Sequence, residues 1–358
     1  MKKERIQRVL HALKGMGISQ MLIIDPMSIY YLTDVMVHPG ERFYGLLLKE
    51  DGNHIFFINK LFTVPENLEI EQVWYSDTDP IMEWAAKVID SSCTLGVDKD
   101  LKARFLLPLM EAGAAQSFVN SSLAVDLTRG TKDVKEQEKM RVASAMNDQA
   151  MAQFKTLIHA GVSEKEVAEK MLDVYLKLGA DSFSFEPIVS FGANAADPHH
   201  MPDDTILKEG DCVLFDVGCV KDGYCSDMTR TFYYKYVSDE CKMIYETVRA
   251  ANEAAEAIVK PGVVLSELDK AARDVITKAG YGPNFTHRLG HFIGLDEHEF
   301  GDVSAVSTWI AQPGMIFSIE PGIYLSGNTG VRIEDLVLVT EDGCEVLNHY
   351  SKEIEIIE

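Results

Sequence analysis

The fold is decided by the stretch Leu207-Lys208-Glu209-Gly210-Asp211-Cys212-Val213-Leu214-Phe215-Asp216 and its counterpart Ile310-Ala311-Gln312-Pro313-Gly314-Met315-Ile316-Phe317-Ser318-Ile319-Glu320. In both stretches an apolar strand follows a glycine and ends on a carboxylate at the same offset. Each segment then turns and returns with a second acid, which is Asp227 in the first copy and Glu334 in the second. A duplicated hairpin that carries two acids is therefore the main feature of the chain.

Carboxylates embedded among Val, Leu, Ile and Phe are costly to bury unless a positive charge compensates them. Four of them that converge in a partly dry cleft repel one another strongly, and one or two divalent cations remove that repulsion. Oxygen-rich surroundings suit Mn²⁺ or a similar ion. The repeated pattern therefore predicts a polynuclear metal site.

Turn signals indicate how each hairpin aims its acids. Asp222-Gly223 marks a turn between predicted strands at 213–220 and 224–232. Pairings that differ by two residues keep Asp216 and Asp227 on one face, whereas a one-residue slip would separate them. The second hairpin places Glu320 and Glu334 similarly, across a longer loop.

A nitrogen ligand is expected from the stretch His287-Arg288-Leu289-Gly290-His291-Phe292-Ile293-Gly294. The two glycines suggest close backbone approach on either side of His291. A single strand histidine is more often structural. Here, however, His199, His200, His291 and His298 all lie in the two segments that precede the acidic hairpins.

Composition limits the possible partners. The chain has 358 residues, enough for two domains, and a formal net charge of −22. This charge argues against nucleic acid or an anionic membrane as partner, because both need cationic patches. The N-terminus lacks an apolar signal region, and no run of about 18 apolar residues occurs. The sequence predicts a cytoplasmic protein, and its six cysteines show neither zinc-site nor disulfide spacing.

The local patterns divide the chain after about residue 125. Residues 1–125 alternate helical and strand patterns, with a hairpin at the Asp51-Gly52 turn, and predict an α/β domain. Residues 126–358 predict an α+β domain with pseudo-twofold internal symmetry. In each half of that domain a long helix and a second helix, opened at Ser163 in one copy and at Ser266 in the other, precede the acidic hairpin.

The second domain resembles the pita-bread metallopeptidases, which include Xaa-Pro dipeptidases (prolidases), aminopeptidase P and methionine aminopeptidases. The first domain looks like the extra domain of the prolidase and aminopeptidase P branch, and the chain is most similar to compact bacterial prolidases. The matching motifs occur in the family's order: Asn194-Ala195-Ala196-Asp197-Pro198-His199, Phe215-Asp216-Val217-Gly218, Ser226-Asp227-Met228-Thr229-Arg230-Thr231, His287 through Gly294, Glu297-His298-Glu299, Ser318-Ile319-Glu320-Pro321-Gly322 and Val331-Arg332-Ile333-Glu334-Asp335.

The resemblance implies a dinuclear metallopeptidase with two divalent ions, Mn²⁺ first and Co²⁺ or Zn²⁺ as alternatives. A water or hydroxide between the ions would be the nucleophile. The implied metal ligands are Asp216, Asp227, His291, Glu320 and Glu334.

The resemblance also implies roles around the metals. Glu320 would move the proton of the water, and His199 and His298 would act on the substrate, with His200 ranked behind His199. His287 would lie near the proline pocket. For Arg332 two interpretations stay open, the orientation of an acidic ligand or an ion pair behind it.

The implied substrates are short proline-containing peptides, with Xaa-Pro dipeptides first and longer peptides, as for aminopeptidase P, as the alternative. A metal-free creatinase-like enzyme or a pseudo-enzyme binding module shares the fold, but such proteins usually lose ligands that are all present here. Family habit suggests a homodimer.

In one place the chain departs from the dipeptidase pattern. Its His298-Glu299-Phe300-Gly301-Asp302-Val303 stretch lacks the arginine that often reads the C-terminal carboxylate of the substrate. We hypothesise that Arg42, in a polar loop, supplies that charge.

Overall fold

The computed structural model describes residues 1–358, which form two compact units, Met1–Arg129 and Gly130–Glu358. Both units mix helices and strands, as the sequence predicts. None of the helices is both long enough and apolar enough to cross a membrane.

The N-terminal unit is built around one six-stranded sheet with the order β4-β3-β2-β1-β5-β6. The predicted hairpin is present as β2 and β3, paired antiparallel, and Gly52 in its turn has φ 84°. The elements are α1 (Lys3–Gly15), β1 (Gln20–Ile23), α2 (Pro26–Thr33), β2 (Gly45–Lys49), β3 (Ile55–Asn59), β4 (Glu71–Tyr75), α3 (Ile81–Val88), β5 (Thr94–Val97), α4 (Ala103–Glu111), β6 (Ser117–Asn120) and α5 (Leu123–Gly130).

The first half of the C-terminal unit places two helices against a sheet of order β20-β12-β9-β8. A capping box opens the second helix, since Ser163 and Glu166 bond reciprocally, as the sequence predicts. The elements are α6 (Val134–Phe154), α7 (Glu164–Leu178), β7 (Ser182–Phe183), β8 (Ile188–Phe191), β9 (Cys212–Val217), β10 (Cys219–Lys221), β11 (Tyr224–Cys225) and β12 (Met228–Tyr234).

The second half repeats this plan with a sheet of order β14-β13-β15-β18-β19 and a separate β16-β17 hairpin. Its elements are α8 (Asp239–Glu256), α9 (Leu265–Lys278), β13 (Gly290–Phe292), β14 (Glu299–Val303), β15 (Ile316–Ile319), β16 (Gly322–Leu325), β17 (Thr329–Arg332), β18 (Asp335–Val339), β19 (Cys344–Val346) and β20 (Ile356–Ile357). The last strand, β20, crosses back to pair with β12 of the first half.

Two equivalent backbone hydrogen bonds, one in each half of the C-terminal unit, show its internal symmetry. Leu207 N donates to Val162 O at 3.0 Å, and Ala311 N donates to Val263 O at 2.8 Å. Each bond ties the residue that leads into an acidic strand to the start of the second helix of its half. Each half also has its own apolar core, with Met171 and Phe215 in one and Leu268 and Phe317 in the other. The structure thus contains the predicted repeat.

The first acidic hairpin differs in detail from the prediction of two continuous strands. Its turn is at Asp222-Gly223, where both residues have positive φ (50° and 80°). The outgoing strand breaks at Gly218, where a Cβ would lie 2.1 Å from the Ser226 carbonyl oxygen. The close approach requires glycine and separates β9 from β10.

Candidate metal centre

A cleft in the C-terminal unit, with a volume of about 160 Å³, collects the predicted site residues of that unit. All the carboxylates that line the cleft come from the two hairpins and from the loop before β14. The cleft is lined by Phe185, Ile188, Pro198, His199, Asp216, Asp227, His287, Arg288, His291, Glu297, His298, Glu320, Arg332 and Glu334.

The first hairpin supplies Asp216 from β9 and Asp227 from just before β12. In the ladder, Asp216 lies opposite Thr229, two residues along from Asp227, so the even spacing keeps the two acids on one face. Asp227 is buried, and desolvation together with the charges of Glu334 and Asp216 raises its pKa well above the usual value.

The second hairpin supplies Glu320 and Glu334 from the residues that adjoin β15 and β18. Ile319 pairs with Asp335, so the two glutamates stand opposite each other directly beyond the ladder. Burial raises the pKa of Glu320 to about 7. Burial and the charges of Glu320 and Asp216 raise the pKa of Glu334 well above its usual value.

The ring of His291 on β13 presents one bare nitrogen to these acids. Its Nδ1 lies 3.2 Å from the Phe292 carbonyl oxygen, which only accepts, so Nδ1 carries the proton. Nε2 lies 3.5 Å from Asp227 Oδ2 and 3.6 Å from Glu320 Oε1. Burial lowers the pKa of His291 to about 3, so the ring is neutral at pH 7. A neutral imidazole oriented by a carbonyl is the usual form of a metal ligand.

Several buried carboxylate oxygens among the predicted metal ligands have no hydrogen-bond partner within the protein. Asp216 Oδ1, Asp227 Oδ1 and Glu334 Oε1 are all buried and accept no bond. Ligand atoms of Asp227, His291 and Glu334 lie within 4.8 Å of one another. Unpaired buried carboxylate oxygens are costly. The chemistry of the donors therefore fits bound divalent cations.

Gly290 and Gly294 confirm the close backbone approach predicted around His291. A Cβ on Gly290 would lie 1.9 Å from the Ser318 carbonyl oxygen, and one on Gly294 would lie 2.7 Å from Glu299 Oε1. The Ser318 hydroxyl also accepts the His291 N–H at 3.0 Å and donates to Glu320 Oε1 at 3.2 Å. One serine thus positions two of the predicted ligands.

A buried arginine links the two hairpins. Arg332 Nη2 donates to Asp216 Oδ2 at 2.5 Å, and its Nε donates to the Thr229 hydroxyl at 3.0 Å. That hydroxyl donates in turn to Glu334 Oε2 at 2.8 Å. Arg332 therefore forms an ion pair with one predicted ligand and contacts, through Thr229, a second.

Tyr324 connects the same arginine to His287, and sequence reasoning missed it. Its hydroxyl accepts from Arg332 Nη1 at 2.9 Å and lies 2.8 Å from His287 Nε2. His287 Nδ1 faces the Arg288 carbonyl oxygen at 2.7 Å, so Nε2 accepts the tyrosine proton. Burial lowers the pKa of His287 to about 4. No sequence signal distinguishes Tyr324, because its partners are brought together only by the fold.

His298 lies at the open side of the cleft, with a half-exposed side chain and its ring 4.0 Å from that of His291. The next residue, Glu299, is anchored by a buried ion pair, since Lys132 Nζ lies 2.8 Å from Glu299 Oε2. Glu299 Oε1 also accepts the Leu295 N–H at 3.0 Å. This pair holds the loop that carries His298.

His199 also lines the cleft, whereas the adjacent His200 does not. His200 Nε2 instead lies 2.7 Å from Glu164 Oε2, at the start of α7. Glu164 is fully buried and also accepts the Phe191 N–H and the Asn194 amide. This network fixes both ends of the loop that carries His199.

Arg42 lies in the N-terminal unit, where its guanidinium is engaged by an acid. Its Nε and Nη2 donate to the two Asp77 carboxylate oxygens, each at 2.9 Å. The Asp77 hydrogen bond raises the pKa of Arg42. To bind a substrate carboxylate, Arg42 would have to leave this fork.

Comparison with known proteins identifies the family. The model of metallopeptidase family M24 matches residues 138–341, and that of the creatinase/prolidase N-terminal domain matches residues 5–130. The chain belongs to the M24 metallopeptidase family. A peptidase of Staphylococcus aureus is 35% identical over 97% of this chain and 99% of its own length.

Solved structures confirm the predicted pita-bread fold of this M24 protein. A prolidase from Thermococcus sibiricus is 32% identical with a TM-score of 0.93, and the match covers 99% of each chain. An Xaa-Pro dipeptidase from Bacillus anthracis is 32% identical with a TM-score of 0.91, over 99% of this chain and 100% of that one. An X-Pro aminopeptidase from Thermotoga maritima is 28% identical with a TM-score of 0.83, over 97% and 100%.

Proposed function

We propose that this M24 protein is an Xaa-Pro dipeptidase that uses two divalent metal ions. Asp216, Asp227, His291, Glu320 and Glu334 would hold the ions. The observation that carries the proposal is the set of buried carboxylate oxygens left without partners around a bare imidazole nitrogen in one cleft. The M24 match and the similarity to proteins named prolidase and Xaa-Pro dipeptidase support it.

Four carboxylates and one imidazole favour Mn²⁺, with Co²⁺ or Zn²⁺ as alternatives. When bound, the ions supply Lewis-acid polarisation of the scissile carbonyl group and make a water molecule more acidic. The remaining steps belong to side chains of this chain.

Glu320 is the proposed proton carrier. A carboxylate that lines the cleft beside the proposed metal ions can take up a proton from the attacking water and pass it on. Ser318 orients its carboxylate through a hydrogen bond of 3.2 Å. Glu320 would accept a proton from the attacking water and deliver it to the proline nitrogen that leaves.

The histidines are proposed to handle the substrate. His298, neutral and half-exposed at the cleft, would donate to the carbonyl oxygen where negative charge develops. His199 would contact the substrate from the opposite loop, and His287 would lie by the proline ring. Burial and the nearby Arg332 charge keep His287 neutral, which suits contact with an apolar ring.

A preference for proline fits the apolar part of the cleft wall, formed by Phe185, Ile188 and Pro198. An Xaa-Pro bond is a tertiary amide with a rigid ring and no N–H, so a site for it needs an apolar surface and a proton donor to the ring nitrogen. The cleft offers both.

Residues 1–125 would form the N-terminal domain and residues 126–358 the catalytic domain.

We propose a homodimer in the cytoplasm, where the six cysteines, all free in the structure, would stay reduced. Light scattering coupled to size-exclusion chromatography measures the oligomeric state directly.

The test is a substrate profile of the purified protein with Mn²⁺. We expect Met-Pro to be cleaved with kcat/KM at least about tenfold above that for Met-Pro-Pro, which corresponds to about 1.4 kcal/mol of transition-state binding. The reverse preference would establish aminopeptidase P activity instead. Metal analysis of the same sample should find two ions per chain, and full activity after exhaustive chelation would refute the proposal.

A further inference from the structure

Two arginines line the cleft, and only one of them, Arg332, has its charge balanced by a carboxylate of the chain. Arg288 lines the cleft with Asp216 and His298, and its side chain is exposed. No carboxylate of the chain forms a salt bridge with it, and its guanidinium makes no hydrogen bond within the protein. By contrast, Arg332 in the same cleft is buried and paired with Asp216.

The chemistry of a dipeptide substrate requires a cation at such a place. In an Xaa-Pro dipeptide a single carbon atom separates the nitrogen of the scissile bond from the terminal carboxylate. The group that binds the carboxylate must therefore lie in the same cleft as the metal-binding acids. Five acids line that cleft and would repel a free carboxylate: Asp216, Asp227, Glu297, Glu320 and Glu334.

The other arginine considered for this role is already occupied. Both Asp77 oxygens accept from the Arg42 guanidinium at 2.9 Å. Breaking such a bidentate pair offsets much of the gain from binding a new carboxylate. The unpaired Arg288 can form the same fork with a substrate carboxylate without giving up a partner.

We propose that Arg288 binds the terminal carboxylate of Xaa-Pro dipeptides and makes this cleft selective for dipeptides. This inference rests on the proposed function. Arg288 would take the place of the arginine that the chain lacks after Glu299. The carboxylate of the substrate would then be bound within the C-terminal unit.

The experiment compares Met-Pro with Met-Pro-amide, which keeps the scissile bond but has no terminal anion. In Arg288→Ala, kcat/KM for Met-Pro should fall about 10- to 100-fold, the size of a lost hydrogen-bonded charge pair, mainly through KM. The value for Met-Pro-amide should stay within about twofold of wild type, well below that loss. Arg288→Lys should recover part of the loss, because the charge returns without the fork.

Arg42→Ala tests the competing assignment of the carboxylate to Arg42, and it should not reproduce the loss of kcat/KM on Met-Pro. A loss on Met-Pro that appears in Arg42→Ala and not in Arg288→Ala would overturn the inference, as would an equal loss on both substrates in Arg288→Ala. Wild-type protein that cleaves neither compound would refute the proposed function, whereas cleavage of both with no effect of Arg288→Ala refutes this inference alone.

Discussion

The two acidic hairpins are copies of one plan, yet they hold their carboxylates differently. In the first hairpin Asp216 and Asp227 are offset by two residues along the ladder, and in the second Glu320 and Glu334 stand directly opposite. The first pair uses the shorter side chain and the second the longer one. Two different local geometries therefore deliver carboxylates to one cleft.

The support for these acids crosses between the copies. Asp216 of the first copy is bound by Arg332 of the second, and Glu334 of the second is bound by Thr229 of the first. Only Glu320 is oriented from its own strand, by Ser318. Neither copy can assemble its half of the site alone, so changes in one hairpin should be felt in the other.

The largest expected effect comes from neutralising one buried acid in each copy. We expect Asp227→Asn and Glu334→Gln to lower kcat/KM by more than about 100-fold each, because loss of even an outer partner of a metal ligand costs 10- to 100-fold. Metal content should fall in both. The metal-free variants should melt at a higher temperature than metal-free wild type. Each loses a buried carboxyl group whose raised pKa lowers the free energy of unfolding near neutral pH.

The control for this pair is Glu341→Gln, which neutralises an exposed acid and should leave activity and metal content unchanged. If either Asp227→Asn or Glu334→Gln kept wild-type activity, the two hairpins would not contribute to one centre.

The next effect is expected from Arg332→Met, which removes the cation that the second copy gives to the first. The variant leaves the largely buried Asp216 carboxylate without its partner, and breaking a buried ion pair costs about 3–5 kcal/mol. We expect a smaller loss with metal bound, because the ion then compensates the carboxylate. Thermal melts with and without Mn²⁺ measure the difference, and equal losses in both states would contradict the expectation.

A smaller effect should follow from Thr229→Val, which removes the hydroxyl between Arg332 and Glu334 without changing the shape of the side chain. The buried Arg332 Nε then loses its acceptor, at a cost of about 1–3 kcal/mol. Activity should fall about tenfold, at the low end for partners of metal ligands. Thr229→Ser keeps the hydroxyl and should behave as wild type. A similar loss in Thr229→Ser would show that packing of the methyl group, and not the bond, is responsible.

The smallest effect concerns the pH dependence of the chelated protein. Burial raises the pKa of Glu320 from 4.5 to about 7, so the folded state binds this proton more tightly than the unfolded state. Its contribution to the free energy of unfolding is present below pH 4.5 and is lost as the pH rises through about 7. Urea titrations of chelated wild type and Glu320→Gln should therefore differ in slope against pH across this window. Parallel curves would show that Glu320 does not titrate there.

Features set by neighbouring residues were predictable from the sequence. The Asp51-Gly52 and Asp222-Gly223 turns and the Ser163 capping box all occur where the local pattern indicates them. The break at Gly218 was not predictable, because it results from the carbonyl group of Ser226, which is brought near only when the hairpin folds.

The same distinction applies to the site. The motifs bring the five predicted ligands and three predicted histidines to one cleft. The sequence did not indicate Tyr324, the free Arg288 fork or the Lys132–Glu299 pair, because each depends on residues that are distant along the chain or on the absence of a partner.

The position of Lys132 has a practical consequence for anyone who cuts this chain. The M24 match begins at residue 138 and α6 at Val134, and either is a natural place to start an isolated fragment. A fragment that begins there would discard the ammonium that faces Glu299 from 2.8 Å, beside the loop of His298. It would be expected to be poorly active however well its helices form, whereas one that begins at Gly130 keeps the pair.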